Sequence, residues 1–423
     1  MRTHVLLLGS ALVLAATQAR ADTTITVDGA VTSARDHGFD RLLADAAQVR
    51  VEGDGRAGAQ LPNPALTFEG GPLLNYRPCA GCLRVQLGAA LSDSGLVFEL
   101  LSGRHGAKAD AALAAVDAAS ADRATTRRTL EALVREACVR LAVAEVLLRA
   151  ADEQRASLAK SLDAQRLRAP QVMDEGALAR FELQKAAADR AVLERTAGLR
   201  SARAALAFLL GDRGVAPEYR VDEAILDTPV PAELAALDER AGASQAAGRS
   251  EIVAADALTR AAGANADAAR AARVPNVVLG IWVQGQGIAY PANTPLSVGG
   301  SVLVELPLFD QKQGLVRTAD AITVSQRIEG GRARAAVTWD VASAVVALRA
   351  AREVEASART SETSAQTALA VVVRQFDAGA VPIVDRLDAE RTFAAARSAR
   401  AEASGDVQIA VIELGRALGK EAR

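Results

Sequence analysis

The chain has 423 residues, enough for two or three domains, yet only 3% of them are aromatic and alanine crowds the sequence. Such a composition favours long, closely packed helices over a bulky globular core. A net charge of −2 gives no reason to expect nucleic-acid binding, and three Cys with three His leave little material for a metalloenzyme or a cofactor site.

In chain order, Met1-Arg2-Thr3-His4 is a short basic stretch, residues 5–16 are apolar, and Ala19-Arg20-Ala21 is a small-x-small cleavage signal. Residues 1–21 therefore read as a signal peptide, and the mature chain is expected to be exported. The apolar run is too short for an anchor, and no later stretch approaches the ~18 apolar residues of a spanning helix. Residues 22–58 read as a helical lead-in broken at Gly38.

The first strand-like stretch covers about residues 61–92. Leu61-Pro62-Asn63-Pro64 opens it, and in its second strand Leu83, Val85, Leu87, Ala89 and Leu91 alternate with Arg84, Gln86, Gly88, Ala90 and Ser92. Its connecting loop carries Cys79-Ala80-Gly81-Cys82. In an exported protein this pair reads as a loop disulfide, with metal capture or free thiols as the alternatives. A structural zinc site would lack its other two ligands, because no second pair exists. Cys138, among Leu133, Val134, Leu141 and Val143, reads as a small buried hydrophobe.

Residues 107–169 contain neither Gly nor Pro and predict one helix of roughly 60 residues, ending at Ala169-Pro170. A second helix is expected from about Glu175 to Leu210, stopping at Gly211. The prolines at 217, 229 and 231 mark residues 215–232 as a linker. A helix over residues 231–272, interrupted at Gly248 and Gly263, leads into a second hairpin at about 275–306. There Val277, Leu279, Ile281 and Val283 face one way and Asn276, Gly280, Trp282 and Gln284 the other. Its partner strand sets Leu296, Val298, Val302 and Val304 against Ser297, Gly299, Ser301 and Glu305. Another long helix follows Phe309-Asp310, with a break expected at Gly330-Gly331. A tight turn at 377–382 then returns the chain in a last helix.

The plan is duplicated. Residues 22–214 hold one hairpin and a helix pair at about 103–211; residues 233–423 hold the other hairpin and a helix pair at about 311–419. Strands of this length suit a tilted membrane crossing, which needs about 9–11 residues. Four strands cannot close a barrel, since the smallest membrane barrels have eight, and open sheet edges cannot sit in lipid. Strands in a membrane would therefore have to come from several chains. Two ordinary hairpins capping a soluble helical protein are the alternative.

Leu306-Pro307-Leu308-Phe309-Asp310-Gln311-Lys312-Gln313-Gly314, the paired Pro-Asn strand starts, Arg249-Ser250-Glu251-Ile252, and the run from Phe376-Asp377-Ala378-Gly379 through Asp385-Arg386-Leu387-Asp388 together resemble the outer-membrane efflux proteins of the TolC type. The Phe-Asp-x-x-Gln-Gly ending is most similar to the CzcC-like cation-efflux branch. The resemblance implies an α+β membrane protein: a homotrimer in outer-membrane lipid, each chain giving four strands to a shared 12-stranded barrel and long helices to a periplasmic α-helical barrel. It implies docking to a periplasmic membrane-fusion adaptor and an inner-membrane resistance-nodulation-division pump, with heavy-metal cations as cargo. Drug efflux, type I protein secretion, and a periplasmic coiled-coil adaptor or scaffold are the alternatives. An enzyme is not expected, since no ligand-spaced His cluster, Ser elbow or phosphate loop occurs.

By the same resemblance, Asp385 and Asp388 would ring a constriction and favour cations, with Phe376 and Val381 standing where many members place a tyrosine and an arginine as closing latches. Arg374, Gly379 and Leu387 on the second turn, and Arg168, Asp174 and Gly176 on the first, would be tip and docking positions. Near the first hairpin, Ser102-Gly103-Arg104 replaces a Gly-Lys-Arg type turn.

Overall fold

The computed structural model describes residues 23–72, 85–172, 175–214, 218–286, 296–306 and 308–420. The expected signal peptide, Cys79 and Cys82 lie outside them. The elements run β1 (Thr23–Thr24), α1 (Val27–His37), α2 (Phe39–Gly58), β2 (Ala65–Pro72), β3 (Val85–Ser92), α3 (Leu96–Leu101), α4 (Arg104–Val172), α5 (Glu175–Leu209), β4 (Tyr219–Arg220), α6 (Ala232–Ala235), α7 (Glu239–Gln245), α8 (Ser250–Ala271), β5 (Asn276–Gln286), β6 (Leu296–Glu305), α9 (Gln313–Asp377) and α10 (Ile383–Ala417). Among the described residues the molecule is mostly helical, with a four-stranded sheet and a short two-stranded pair, as its alanine-rich, aromatic-poor composition predicts.

Several local expectations give way to packing. The first long helix is 69 residues and runs two residues past Pro170 instead of stopping before it. Near a helix end a proline forfeits one backbone hydrogen bond without losing the whole element. The 65-residue α9 passes through Gly330 and Gly331 without a break, and α8 passes through Gly263. A helix-interior glycine costs only about 1 kcal/mol, and tertiary contacts outweigh that here. The Thr323 hydroxyl donates to the Ala262 carbonyl at 3.1 Å and the Thr259 hydroxyl to the Gln326 carbonyl at 3.2 Å, tying α8 to α9 just ahead of these glycines. Residues 215–232 are not a bare linker. Among them β4 pairs in parallel with β1, Glu223–Asp227 forms a 3-10 turn capped by the Asp222 side chain, and Leu226 is buried.

The chain forms two compact units. One comprises Met1–Ala34, Val134–Pro229 and Val354–Gln408; the other comprises Arg35–Leu133, Val230–Glu353 and Ile409–Arg423. Among its described residues the first is mostly helical, with the β1·β4 pair. Its cluster of Leu158, Leu162, Phe181, Ala188 and Leu387, with Ile383 packed against it, draws on α4, α5 and α10. The second holds the four-stranded sheet together with α2, α3 and α6 to α8. The buried face of α8 there is built from Ala254, Ala257, Ala261 and Ala262, small residues that let helices approach closely.

The two hairpins form one sheet, in the order β2-β3-β5-β6, antiparallel throughout. The joining seam is between β3 and β5, with Gln86 opposite Gln286 and Ser92 opposite Gly280.

Candidate functional site

The cross-strand register sorts the sheet into two unlike faces. Leu66 stands opposite Leu91 and Leu91 opposite Ile281; Phe68 opposite Ala89, Ala89 opposite Val283, and Val283 opposite Val298. With Leu279 and Val302 they make an apolar face that is exposed to its surroundings, Phe68 by 78%. On the other face lie Thr67, Glu69, Gln284, Ser297 and Ser301, with Val278 and Leu303 the paired apolar exceptions near one end. Trp282 lies across Gly299: a Cβ at Gly299 would stand 2.5 Å from the indole, so only glycine fits beneath the ring. Glu69, Gly88, Trp282 and Gln284 border a recess of about 450 Å³. Among the described residues, both outer strands, β2 and β6, have one edge without a partner strand.

At the corner leaving β3, Asp93 does two jobs. Its N–H donates to the Leu279 carbonyl at 2.9 Å, while its Oδ1 accepts from the Leu279 N–H at 2.8 Å. The carboxylate thus stands in for the next strand residue. It also accepts from Gly95 and, through Oδ2 at 3.1 Å, from Val97 at the start of α3. Desolvation pushes the carboxyl up, and the backbone N–H groups of Val97, Leu279 and Gly95 together pull it below its ordinary value. These bonds hold Ser94 at φ +50, a left-handed conformation unusual for a residue with a side chain. The corner entering α9 uses the same device in simpler form: Asp310 accepts from the Lys312 N–H at 2.9 Å and pairs with its ammonium, with Lys312 at φ +57. Beside it Phe309 is wholly exposed.

The motif Arg249-Ser250-Glu251 sits at a charged junction. Arg249, 6% exposed, pairs with Glu251 and with Asp340 of α9, and donates to the Ala417 carbonyl of α10 at 3.0 Å. Arg416 pairs with Asp340 from α10, and Arg128 of α4 pairs with Glu251. Desolvation raises the Glu251 carboxyl, and the hydrogen bonds from Arg249 with the charges of Arg128 and Arg249 more than reverse this, leaving it at about 2. Asp340 is lowered for the same balance of reasons.

At the second helical turn, α9 ends with a left-handed Gly379 at φ +75. The Gly379 N–H donates to Phe376 at 3.0 Å and the Ala380 N–H to Gln375 at 2.8 Å, the pattern that closes a helix C-terminus. Asp385 and Asp388 lie on the first turns of α10, exposed and without an ion pair among the described residues. Val381 is half-buried. Arg374 is exposed and donates back to the Ala370 carbonyl at 3.1 Å. Leu387 is only 4% exposed and is packed within the unit's own hydrophobic cluster, so its side chain supports the turn from inside. Gly176 opens α5 and is exposed; Arg168 lies in the last turn of α4, and Asp174 falls outside the described residues. The residue missing from the expectations is Arg386. Its guanidinium lies over the Phe376 ring at 5.1 Å and donates to the Ser161 hydroxyl at 3.2 Å and to Glu390 at 3.1 Å. Only the i, i+4 pairing with Glu390 was visible in the sequence.

Among the described residues no group of His, Cys, Asp and Glu is arranged to hold a metal, and no helix is long and apolar enough to cross a membrane. Cys138 is a buried free thiol, pushed up to about 12 by burial, and hence inert.

Residues 243–420 match the sequence model of the outer membrane efflux protein family. No curated protein matches the chain by sequence. Among solved structures, CusC, described in terms of folding and transmembrane channel formation, is similar at 20% identity, TM-score 0.78, covering 96% of this chain and 95% of its own. The open state of the MtrE outer membrane channel of Neisseria gonorrhoeae is similar at 20% identity, TM-score 0.75, covering 93% and 89%. The outer membrane protein VceC of Vibrio cholerae is similar at 16% identity, TM-score 0.74, covering 94% and 97%. The chain has the fold of these outer-membrane channels, and its second half carries the sequence pattern of the outer membrane efflux protein family.

Proposed function

We propose that the chain is the outer-membrane channel of a tripartite efflux system of the resistance-nodulation-division class, exporting heavy-metal cations. It is a transport conduit, not an enzyme, set in the outer membrane with a long helical part in the periplasm. The observation that carries this is the sheet: an exposed apolar face backed by a polar one, with both edges open. An apolar band outside and a polar lining inside are what a water-filled membrane barrel needs. Unpaired edges in lipid would cost several kcal/mol for each unsatisfied backbone group, so β6 of one copy must receive β2 of the next. Three copies give the twelve strands of a closed barrel. The long helices form the periplasmic wall by the same symmetry, and their turns meet the adaptor.

The exposed Asp385 and Asp388, repeated in three chains at one turn, make a ring of carboxylates that attracts cations and repels anions. The Phe-Asp-x-x-Gln-Gly ending supports metal cargo over drugs. The test is growth of a deletion strain across zinc, cobalt, cadmium, copper and nickel gradients beside a panel of hydrophobic drugs and detergents. Sensitivity confined to metals is expected. Sensitivity confined to drugs would keep the conduit and overturn the cargo, and mild cross-linking of membrane fractions that stops at a monomer would overturn the trimer.

A further inference from the structure

We propose that a recess lined by α1, α2 and α4 is a binding site for a small, water-soluble multivalent oxyanion of the phosphate or polycarboxylate class. The recess holds about 470 Å³, a size usual for small-ligand sites, and its lining falls within the compact unit that carries the sheet. Arg35 of α1, Arg41 of α2, and Arg123, Arg127 and Arg128 of α4 all line it. Gly419, at φ +73 beyond the end of α10, lines it too. A Cβ there would stand 3.1 Å from Arg249 and 3.8 Å from the Arg128 guanidinium.

The recess is marked by a shortage of carboxylate. Glu131, 3% exposed, accepts from Arg35 at 2.6 Å and from Arg127 at 2.9 Å. Asp45 pairs with both Arg41 and Arg123, and Glu251, the partner of Arg128, is shared with Arg249. Each carboxylate thus serves two guanidiniums, and a guanidinium carries five donors where a carboxylate offers about four lone-pair positions. The Arg128 Nε is buried with no hydrogen-bond partner among the described residues. Beside Glu131, the described lining carries one further carboxylate, the exposed Asp36. A network that served the fold alone would gain from pairing its charges one to one. The excess left here faces a concave space and selects an anion, because the arginine fork meets carboxylate or phosphate oxygens two at a time. Position decides between a lipid and a solute. Arg123 stands 19 residues along α4 from Arg104, roughly 28 Å at ~1.5 Å per residue. With the sheet read as a membrane barrel, a headgroup layer about 5–8 Å thick does not reach that far, so the ligand arrives through water. Once bound it joins α1 and α2 to α4. None of the residues of α2 is fully buried, so the anion supplies a tie that its packing lacks.

The experiment is isothermal titration of the purified full chain in detergent with inorganic phosphate, then with citrate, at an ionic strength held constant by chloride. Saturable binding of one anion per chain is expected, with an unfolding temperature that rises with anion concentration. Arg123→Gln and Arg127→Gln remove charge-assisted bonds but leave Asp45 to Arg41 and Glu131 to Arg35; each should weaken binding about tenfold. Arg190→Gln, which removes an exposed arginine of α5 far from the lining in sequence, should leave binding unchanged. Asp36→Asn takes away the carboxylate that repels an anion and should tighten binding about threefold, a gain that a misfolded chain does not imitate. No saturable binding of either anion overturns the site, as does an affinity that Arg127→Gln and Arg190→Gln lower alike. Phosphatidylglycerol in mixed micelles that displaces the phosphate would reassign the recess to lipid and overturn the water-borne ligand. None of these readouts depends on conduction, so the site stands or falls apart from the channel assignment.

Discussion

Arg249 and Arg386, one in each compact unit, both bind helices together, and they do so by opposite means. Arg249 is enclosed by carboxylates, with Glu251 and Asp340 on its guanidinium, the Ala417 carbonyl accepting a further bond, and Arg128 and Arg416 balancing the charge beyond. Arg386 is held by one carboxylate of its own helix, one hydroxyl and one aromatic face. A buried charge surrounded by countercharge cannot leave without stranding its partners in a medium that solvates them poorly. A cation on a ring and a hydroxyl can depart for water at modest cost. The first arrangement suits a junction that stays put, the second a contact that opens.

Breaking the Arg249 junction should have the largest effect. Arg249→Met takes a counter-charge from both Asp340 and Glu251, leaving each with a single arginine, Arg416 and Arg128, and strips the Ala417 carbonyl of its donor; a loss of about 3–5 kcal/mol is expected, read as a large fall in unfolding temperature or failure to accumulate in membranes. Leu387→Ala should follow, at about 2–5 kcal/mol, because it opens a cavity in the packed cluster. Measured adaptor affinity should drop only in proportion to that loss of fold, which separates an inward-facing support from a docking contact.

Acid sharpens the same contrast. Glu251 stands at about 2 in the folded chain against an ordinary 4.5, so its contribution is complete above about 4.5 and is lost as pH falls toward 2. Asp340 adds in the same direction. Unfolding temperature should therefore decline on acidification through this window, and Glu251→Gln should flatten part of the decline. Smallest in stability is the exposed pair at the turn. Asp385→Asn with Asp388→Asn should shift unfolding by no more than about 0.5 kcal/mol. It should lower cation preference in reversal-potential measurements, and unchanged selectivity would remove these carboxylates from the constriction.

The sequence disclosed these features unevenly, and the reason is range. The alternation of Val277, Leu279, Ile281 and Val283 is a local signal, so the strands were legible from period alone. That β3 and β5 would pair was not, since nothing near Ser92 announces Gly280. Gly330-Gly331 and Pro170 read as breakers because propensity is local, while Thr259 and Ala262 of α8, which bond Gln326 and Thr323 of α9, act from another part of the chain. Asp385 and Asp388 stood out as an i, i+3 pair. Arg386 between them did not, because its partners Phe376 and Ser161 lie across a turn and 225 residues away. Leu387 reads as a tip and docking position by resemblance alone, because the residues that bury it, Leu158, Leu162 and Phe181, come from α4 and α5.

The seam at Asp93 also sets the order in which the molecule can assemble. Its carboxylate and the Leu279 amide are 186 residues apart, so they can close only after most of the chain has been made. Until then the first hairpin carries Leu66 and Phe68 in the open and β3 with a free edge, the kind of surface on which chains aggregate. Completion of the sheet is thus a late, topology-limited event. A chain delayed between residues 93 and 279 is the species that a holdase chaperone would have to protect.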